Sequence, residues 1–151
     1  MPTLTRLLPL LLLILISLAV PAALAGEFRS VAENATPMYD APSAKANKLF
    51  VASQYYPVEI IVNIENWIKV RDAAGDLAWV EKKALSDKRT VVVIAVLADV
   101  RQKPEDGSPL AFQARQGVAL ELAELAAGAW IKVRHRDGQT GFVRAIQVWG
   151  L

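Results

Sequence analysis

The chain has 151 residues, no cysteine, one histidine and a formal net charge of +2. A balance this near neutral excludes a general nucleic-acid role, which needs a large cationic excess to neutralise phosphates. The absence of cysteine excludes a thiol nucleophile, a disulfide brace and a lipid-bearing cysteine, and a single histidine leaves no zinc-ligand set.

At the start, Arg6 precedes the apolar run Leu7–Val20, and Ala23 and Ala25 supply a small-residue cleavage pattern before Gly26. This is the layout of a secretory signal peptide over residues 1–25, cut between Ala25 and Gly26. The competing reading is a retained membrane anchor. Against it, the run is short for a span of about 20 residues, and Pro9 interrupts it. Arg6 is the only charge in the segment, so cleavage leaves a net charge of +1. The expectation is a periplasmic or otherwise exported chain with no stable membrane span after cleavage.

The remainder is written twice. Residues 49–60, LFVASQYYPVEI, share Phe50, Ala52, Gln54 and Glu59 with Phe112, Ala114, Gln116 and Glu121 of residues 111–122. Residues 66–80, NWIKVRDAAGDLAWV, match residues 129–143, AWIKVRHRDGQTGFV, at seven of fifteen positions. The offset is 62 in the first block and 63 in the second, which places one added residue near Ala123–Ala129. Ordered blocks at near-constant spacing indicate duplication. The expected units are residues 26–90 and 91–151.

Within each copy the period is that of strands. Val58, Ile60, Val62 and Ile64 alternate with Glu59, Ile61 and Asn63, and Ile68 and Val70 alternate with Trp67, Lys69 and Arg71. Asp72–Gly75 and His135–Gly138 read as hairpin turns with glycine available for a positive φ. TVVVIAV (Thr90–Val96) is a β-branched run expected to close copy one and lead into copy two. Gly117–Ala129 has helical propensity, but its alignment with a strand of copy one predicts a strand. The fold class is therefore all-β: two tandem small barrels after the signal peptide.

These residues carry a resemblance. The order W-I-K-V-R, a Gly turn, an aromatic–Val pair and a following Leu or Val resembles the bacterial SH3-like (SH3b) domain. Copy one supplies Trp67–Arg71, Gly75, Trp79-Val80 and Leu85. Copy two supplies Trp130–Arg134, Gly138, Gly141-Phe142-Val143 and Val148. Copy one departs at Ala78, where the family often has Gly, and at Tyr39-Asp40-Ala41-Pro42, where an Arg-containing segment is more usual; copy two keeps Val100-Arg101. The resemblance implies small five-stranded barrels and a non-catalytic module that binds cell-wall peptides or other proteins.

The residues themselves offer little chemistry. His135 lies in a turn between Arg134 and Arg136, which argues for an exposed side chain rather than a triad member. No catalytic residue, cofactor or metal is expected, and no Gly-rich phosphate loop occurs. Residues 81–89 mix cations with Glu81 and Asp87 and read as a solvated linker.

Aromatic residues are the better candidates. Tyr39, Tyr55, Tyr56, Trp67 and Trp79 all fall in copy one, whereas copy two has Gly117-Val118 where copy one has the tyrosine pair. Tyrosine and tryptophan give large contact area at low entropic cost. They form the expected ligand-binding set, with Tyr39 in a loop beside the groove and Trp79 as its far wall. Trp67 has a competing role covering the barrel. Copy one is expected to bind and copy two to brace it. The expected function is an exported binding module for a peptidoglycan peptide or an envelope protein. The alternative is a scaffold or accessory subunit of an envelope complex with no wall ligand, and a hydrolase is the weakest reading.

Overall fold

The computed structural model of the protein describes residues 26–125 and 128–151. The leader read over residues 1–25 lies outside them. Copy one contains β1 (Phe28–Val31), β2 (Thr36–Tyr39), β3 (Lys48–Ala52), β4 (Pro57–Ile64), β5 (Trp67–Arg71), β6 (Leu77–Glu81) and β7 (Leu85–Ser86). Copy two contains β8 (Thr90–Val93), β9 (Leu97–Arg101), β10 (Leu110–Arg115), β11 (Ala119–Leu125), β12 (Trp130–Arg134), β13 (Thr140–Arg144) and β14 (Val148–Trp149). A short 3-10 turn precedes the last strand of each copy, Lys82–Ala84 and Ala145–Gln147.

The strand order is β3-β2-β6-β5-β4-β1-β7 in one sheet and β10-β9-β13-β12-β11-β8-β14 in the other. Each strand of copy two thus occupies the place of the strand seven earlier. All pairings are antiparallel, and each copy closes around its own core. Val31, Met38, Val58, Ile68, Val70 and Val80 fill the first; Val91, Val100, Leu120, Ile131, Val133 and Val143 fill the second.

The WIKVR phrase is the centre of this packing. In β5 and in β12 the Ile and Val are buried while the Trp and Lys stand on the outer face. The turns that follow are alike too. Gly75 (φ 91°) donates its N–H to Asp72 O, and Gly138 (φ 95°) donates its N–H to His135 O.

Two readings of the sequence meet a different outcome, and two others hold, one of them more sharply. Thr90–Val93 does not close copy one. All four residues are buried, and the strand pairs with β11 and β14, so it opens copy two as β1 opens copy one. The alternation along β4 stops at Ile60. A bulge between Ile60 and Val62 sets Val62 opposite Lys69 and Ile64 opposite Trp67, leaving them 39% and 44% exposed on the outer face. β11 is a strand as expected, because β8 and β12 pair with it on either side and override its helical propensity. Asn63 pairs with Ile68 but Leu125 pairs with Ile131, so the added residue falls between Leu125 and Ile131.

The two barrels meet along a hydrogen-bonded seam. Ser30 Oγ donates to Lys88 O at 2.7 Å, Thr90 Oγ1 to Tyr55 O at 2.6 Å and Arg89 Nη2 to Gly150 O at 3.0 Å. Phe28 of β1 meets Trp149 of β14 edge to face at 5.0 Å. Gly150 (φ 116°) is required here, since a Cβ would stand 2.9 Å from Thr90 O and 3.1 Å from Pro57 Cβ.

Candidate functional site

The five aromatic candidates separate into two groups. Tyr39, Trp67 and Trp79 share the outer face of copy one. Tyr39 and Trp79 are opposed in β2 and β6, and Tyr39 meets Trp67 edge to face at 5.4 Å. Lys69 Nζ stands 5.9 Å from the Trp79 ring centre. Beside them a groove of about 560 Å³ is lined by Pro42, Ile64, Glu65 and Trp67. Tyr39 is in a strand, not the expected loop. It is 5% exposed, because β2 is paired on both sides and its ring packs against Trp67. Its part is to brace Trp67 rather than to present a surface.

Tyr55 and Tyr56 stand apart from that group, in the β3–β4 turn beside copy two. Tyr56 is half-buried against the first core, and its hydroxyl accepts the Ala73 N–H at 3.3 Å. Burial pushes its phenol above the ordinary value; the Ala73 bond pulls the other way, and nearby Asp72 adds to the rise. Tyr55 has φ 69°, and Lys88 Nζ lies 5.1 Å from its ring centre.

The same outer face in copy two is built differently. Trp130, Lys132 and Phe142 repeat Trp67, Lys69 and Trp79, but Arg101 takes the place of Tyr39. Glu124 stands where copy one has Val62 and pairs with Lys132 at 3.6 Å. Arg144 stands where copy one has Glu81. Its guanidinium lies 5.0 Å from the Trp130 ring centre and is held by the Asp106 carboxylate, with Nε at 3.1 Å from Oδ1. The arginine of this ion pair therefore lies over Trp130. Among the described residues no cation lies over Trp67, and Lys69 has no carboxylate partner.

A second concavity lies on the seam, and sequence reasoning missed most of it. Tyr55, Lys88, Thr90, Ala119, Glu121, Arg134, His135 and Arg136 line a cleft of about 170 Å³. It adjoins a space of about 300 Å³ that reaches Gln54, Tyr56 and Val118. Lys88 was legible only as linker charge. His135, expected to be exposed, is part-buried: its side chain is 28% exposed, 3.0 Å from Asp137 Oδ2 and 6.0 Å from the Phe112 ring. The Asp137 carboxyl is held below its ordinary value, chiefly by the Gln139 N–H, then by the Gln139 amide, with His135 a smaller contributor. The one aliphatic alcohol on the cleft lining, Thr90, already donates to the Tyr55 carbonyl. Among the described residues no group of His, Asp and Glu side chains is arranged to hold a metal ion, and no helix is long and apolar enough to cross a membrane.

Comparison with known proteins agrees with the duplication. No curated protein sequence matches the chain. Two solved structures, NlpC1 and NlpC2 from Trichomonas vaginalis, are similar over 82% and 83% of this chain, each at 12% identity and a TM-score of 0.36. This chain spans only 45% and 48% of theirs, and likenesses this slight bear on neither fold nor chemistry. The bacterial SH3 domain profile matches twice, over residues 32–87 and 95–150. Those spans run through the two equivalent sheets, and with them the chain belongs to the bacterial SH3 domain family, whose members are generally binding modules.

Proposed function

We propose that the mature chain is an exported, non-catalytic module whose first copy binds a peptide of the cell envelope in the groove at Trp67. The peptide is either a peptidoglycan stem or an extended segment of an envelope protein. The supporting observation is the difference between two otherwise equivalent faces. Arg144, held by Asp106, lies over the Trp130 ring, whereas Trp67 is braced from one side by Tyr39 and borders an open groove with Pro42 and Ile64. A rigid indole with an apolar flank is a suitable anchor for a peptide side chain. Lys69, facing Val62 instead of an acid, is available to a ligand carboxylate. Copy two supplies the second half of the seam and braces the first.

The test is retention of the mature chain on purified cell-wall sacculi, with crosslinking in the envelope fraction alongside. Wild type and Trp130→Ala should be retained, or crosslinked to one partner, equally; Trp67→Ala should lose that interaction. Equal retention of Trp67→Ala overturns the site. Failure of wild type to bind sacculi, with a reproducible protein crosslink lost in Trp67→Ala, identifies the partner as an envelope protein.

A further inference from the structure

We propose that the cleft on the seam between the two copies is a separate binding site for a small oxyanion, a carboxylate or a phosphate group. The duplication itself provides the control. In copy one, Glu59 and Arg71 oppose each other across β4 and β5 and close an ion pair, with Nη2 at 2.7 Å and Nε at 2.8 Å from Oε2. In copy two, Glu121 and Arg134 occupy the same register. That pair is not closed. Lys88, arriving from the connection between the copies, takes the Glu121 carboxylate at 3.2 Å. Among the described residues Arg134 then has no carboxylate within 4.0 Å, and it lines the cleft.

Arg136 is in the same condition. Among the described residues it has no acidic partner, and it lines both the cleft and the adjoining space. The acids nearby are already engaged: Glu121 by Lys88, and Asp137 by His135 and Gln139. Two arginines, each able to present a planar fork, therefore line a space whose own carboxylate, Glu121, is already paired with Lys88. A volume of about 170 Å³ holds a group of several heavy atoms, since liquid water occupies roughly 30 Å³ per molecule.

Tyr55 provides an independent observation. Its φ of 69° is left-handed, and the equivalent residue of copy two is Gly117 at φ 85°. The turn needs this backbone in both copies, and glycine adopts it without the cost a tyrosine bears, on the order of 1–3 kcal/mol. A strained residue on a cavity wall points to a role for its side chain. Tyr55 lines the cleft with Lys88 Nζ 5.1 Å from its ring centre, where it can pack against whatever bears the oxyanion. This site shares no lining residue with the Trp67 groove.

Amide chemical shifts of the mature chain, residues 26–151, test the proposal at constant ionic strength. The probes are inorganic phosphate, acetyl-Ala-Ala with a free carboxylate, and the same dipeptide as its amide. Signals of Tyr55, Ala119 and Gly138 should shift and saturate with phosphate, with the free carboxylate, or with both, but not with the amide. Which anion saturates at the lower concentration identifies the source. Arg134→Ala combined with Arg136→Ala should weaken that response by about tenfold or more, as the loss of charge-assisted hydrogen bonds requires. Both arginines are exposed, so the variant should keep its dispersed spectrum. Trp67→Ala should leave the response intact, which separates this site from the peptide groove. Shifts that never saturate, or that saturate equally in the double arginine variant, overturn the proposal.

Discussion

Arg144 lies over the ring of Trp130, its guanidinium carbon 5.0 Å from the ring centre, in the cross-strand place where Glu81 faces Trp67 in the first copy. Two residues that began as equivalents, both part-buried, thus differ in what lies over the indole ring. Arg144→Glu, which installs the residue of copy one, should raise acrylamide quenching of the tryptophan fluorescence. An exposed cation–π contact contributes only about 0.5–1 kcal/mol, so the melting temperature should fall little. Unchanged quenching would mean that Arg144 does not shield Trp130.

Truncation of the aromatic residues should separate binding from packing. Trp67→Ala should weaken peptide binding by about 2 kcal/mol, the scale of a binding anchor, with a smaller change in stability. Tyr39→Ala removes a buried ring braced against Trp67 and should lower stability by about 3 kcal/mol. Calorimetry and urea denaturation on the two variants decide the matter; a Tyr39→Ala variant with wild-type stability would return Tyr39 to the binding surface.

Ala78 and Gly141 occupy one buried position in the two barrels and are not interchangeable. A Cβ on Gly141 would stand 2.7 Å from Val100 Cγ1 and 2.8 Å from Arg101 O. Gly141→Ala should therefore cost about 1–3 kcal/mol by overpacking, read as a lower urea midpoint. In copy one the facing core residue is Met38, a flexible side chain that accommodates the extra methyl.

Thr90→Val should loosen the seam. Thr90 is fully buried and its hydroxyl donates to Tyr55 O at 2.6 Å. Losing that donor should cost about 1–3 kcal/mol. Hydrogen exchange should accelerate at Tyr55 and Tyr56 while Ile131 and Val133 stay protected. Equal acceleration throughout would show that the seam and the cores open as one unit.

Alkaline stability should depend on Tyr56. Burial raises its phenol above the ordinary value of 10.0, with the Ala73 bond opposing. The folded chain then holds the proton more tightly than the unfolded chain. The associated stability is complete below the unfolded value and is lost as pH rises through the folded one. Melting temperatures measured from neutral pH to above pH 10 should fall more steeply for wild type than for Tyr56→Phe. Parallel curves would count against this linkage.

The repeated phrase revealed the fold because its alternation is short and uninterrupted: Ile68 and Val70, like Ile131 and Val133, face inward as a period of two requires. The same rule failed past Ile60, since a bulge inserts a residue without any mark in composition. Trp67 was recognisable as facing away from Ile68 by the same alternation, whereas Trp79 was placed only as a groove wall. Arg134 was not recognisable as a ligand-facing group. Its state depends on Lys88 displacing it from Glu121, a contact across the seam between residues far apart in sequence. Cross-barrel contacts of this kind have no period to read.

Phe28 and Trp149, edge to face across the seam, also impose an order in time on assembly. Each barrel's pairings join residues of one copy, so the first sheet can form while the second is still being delivered. The Phe28–Trp149 contact cannot form until β14 has arrived, and it closes a loop that includes nearly all the described residues. Such closure is slow relative to local pairing. Until it happens, Phe28 stands without Trp149, and the seam is held by the Ser30–Lys88 and Thr90–Tyr55 bonds, whose residues all precede β9. The first barrel, the second barrel and the clasp between them should therefore form as successive kinetic steps.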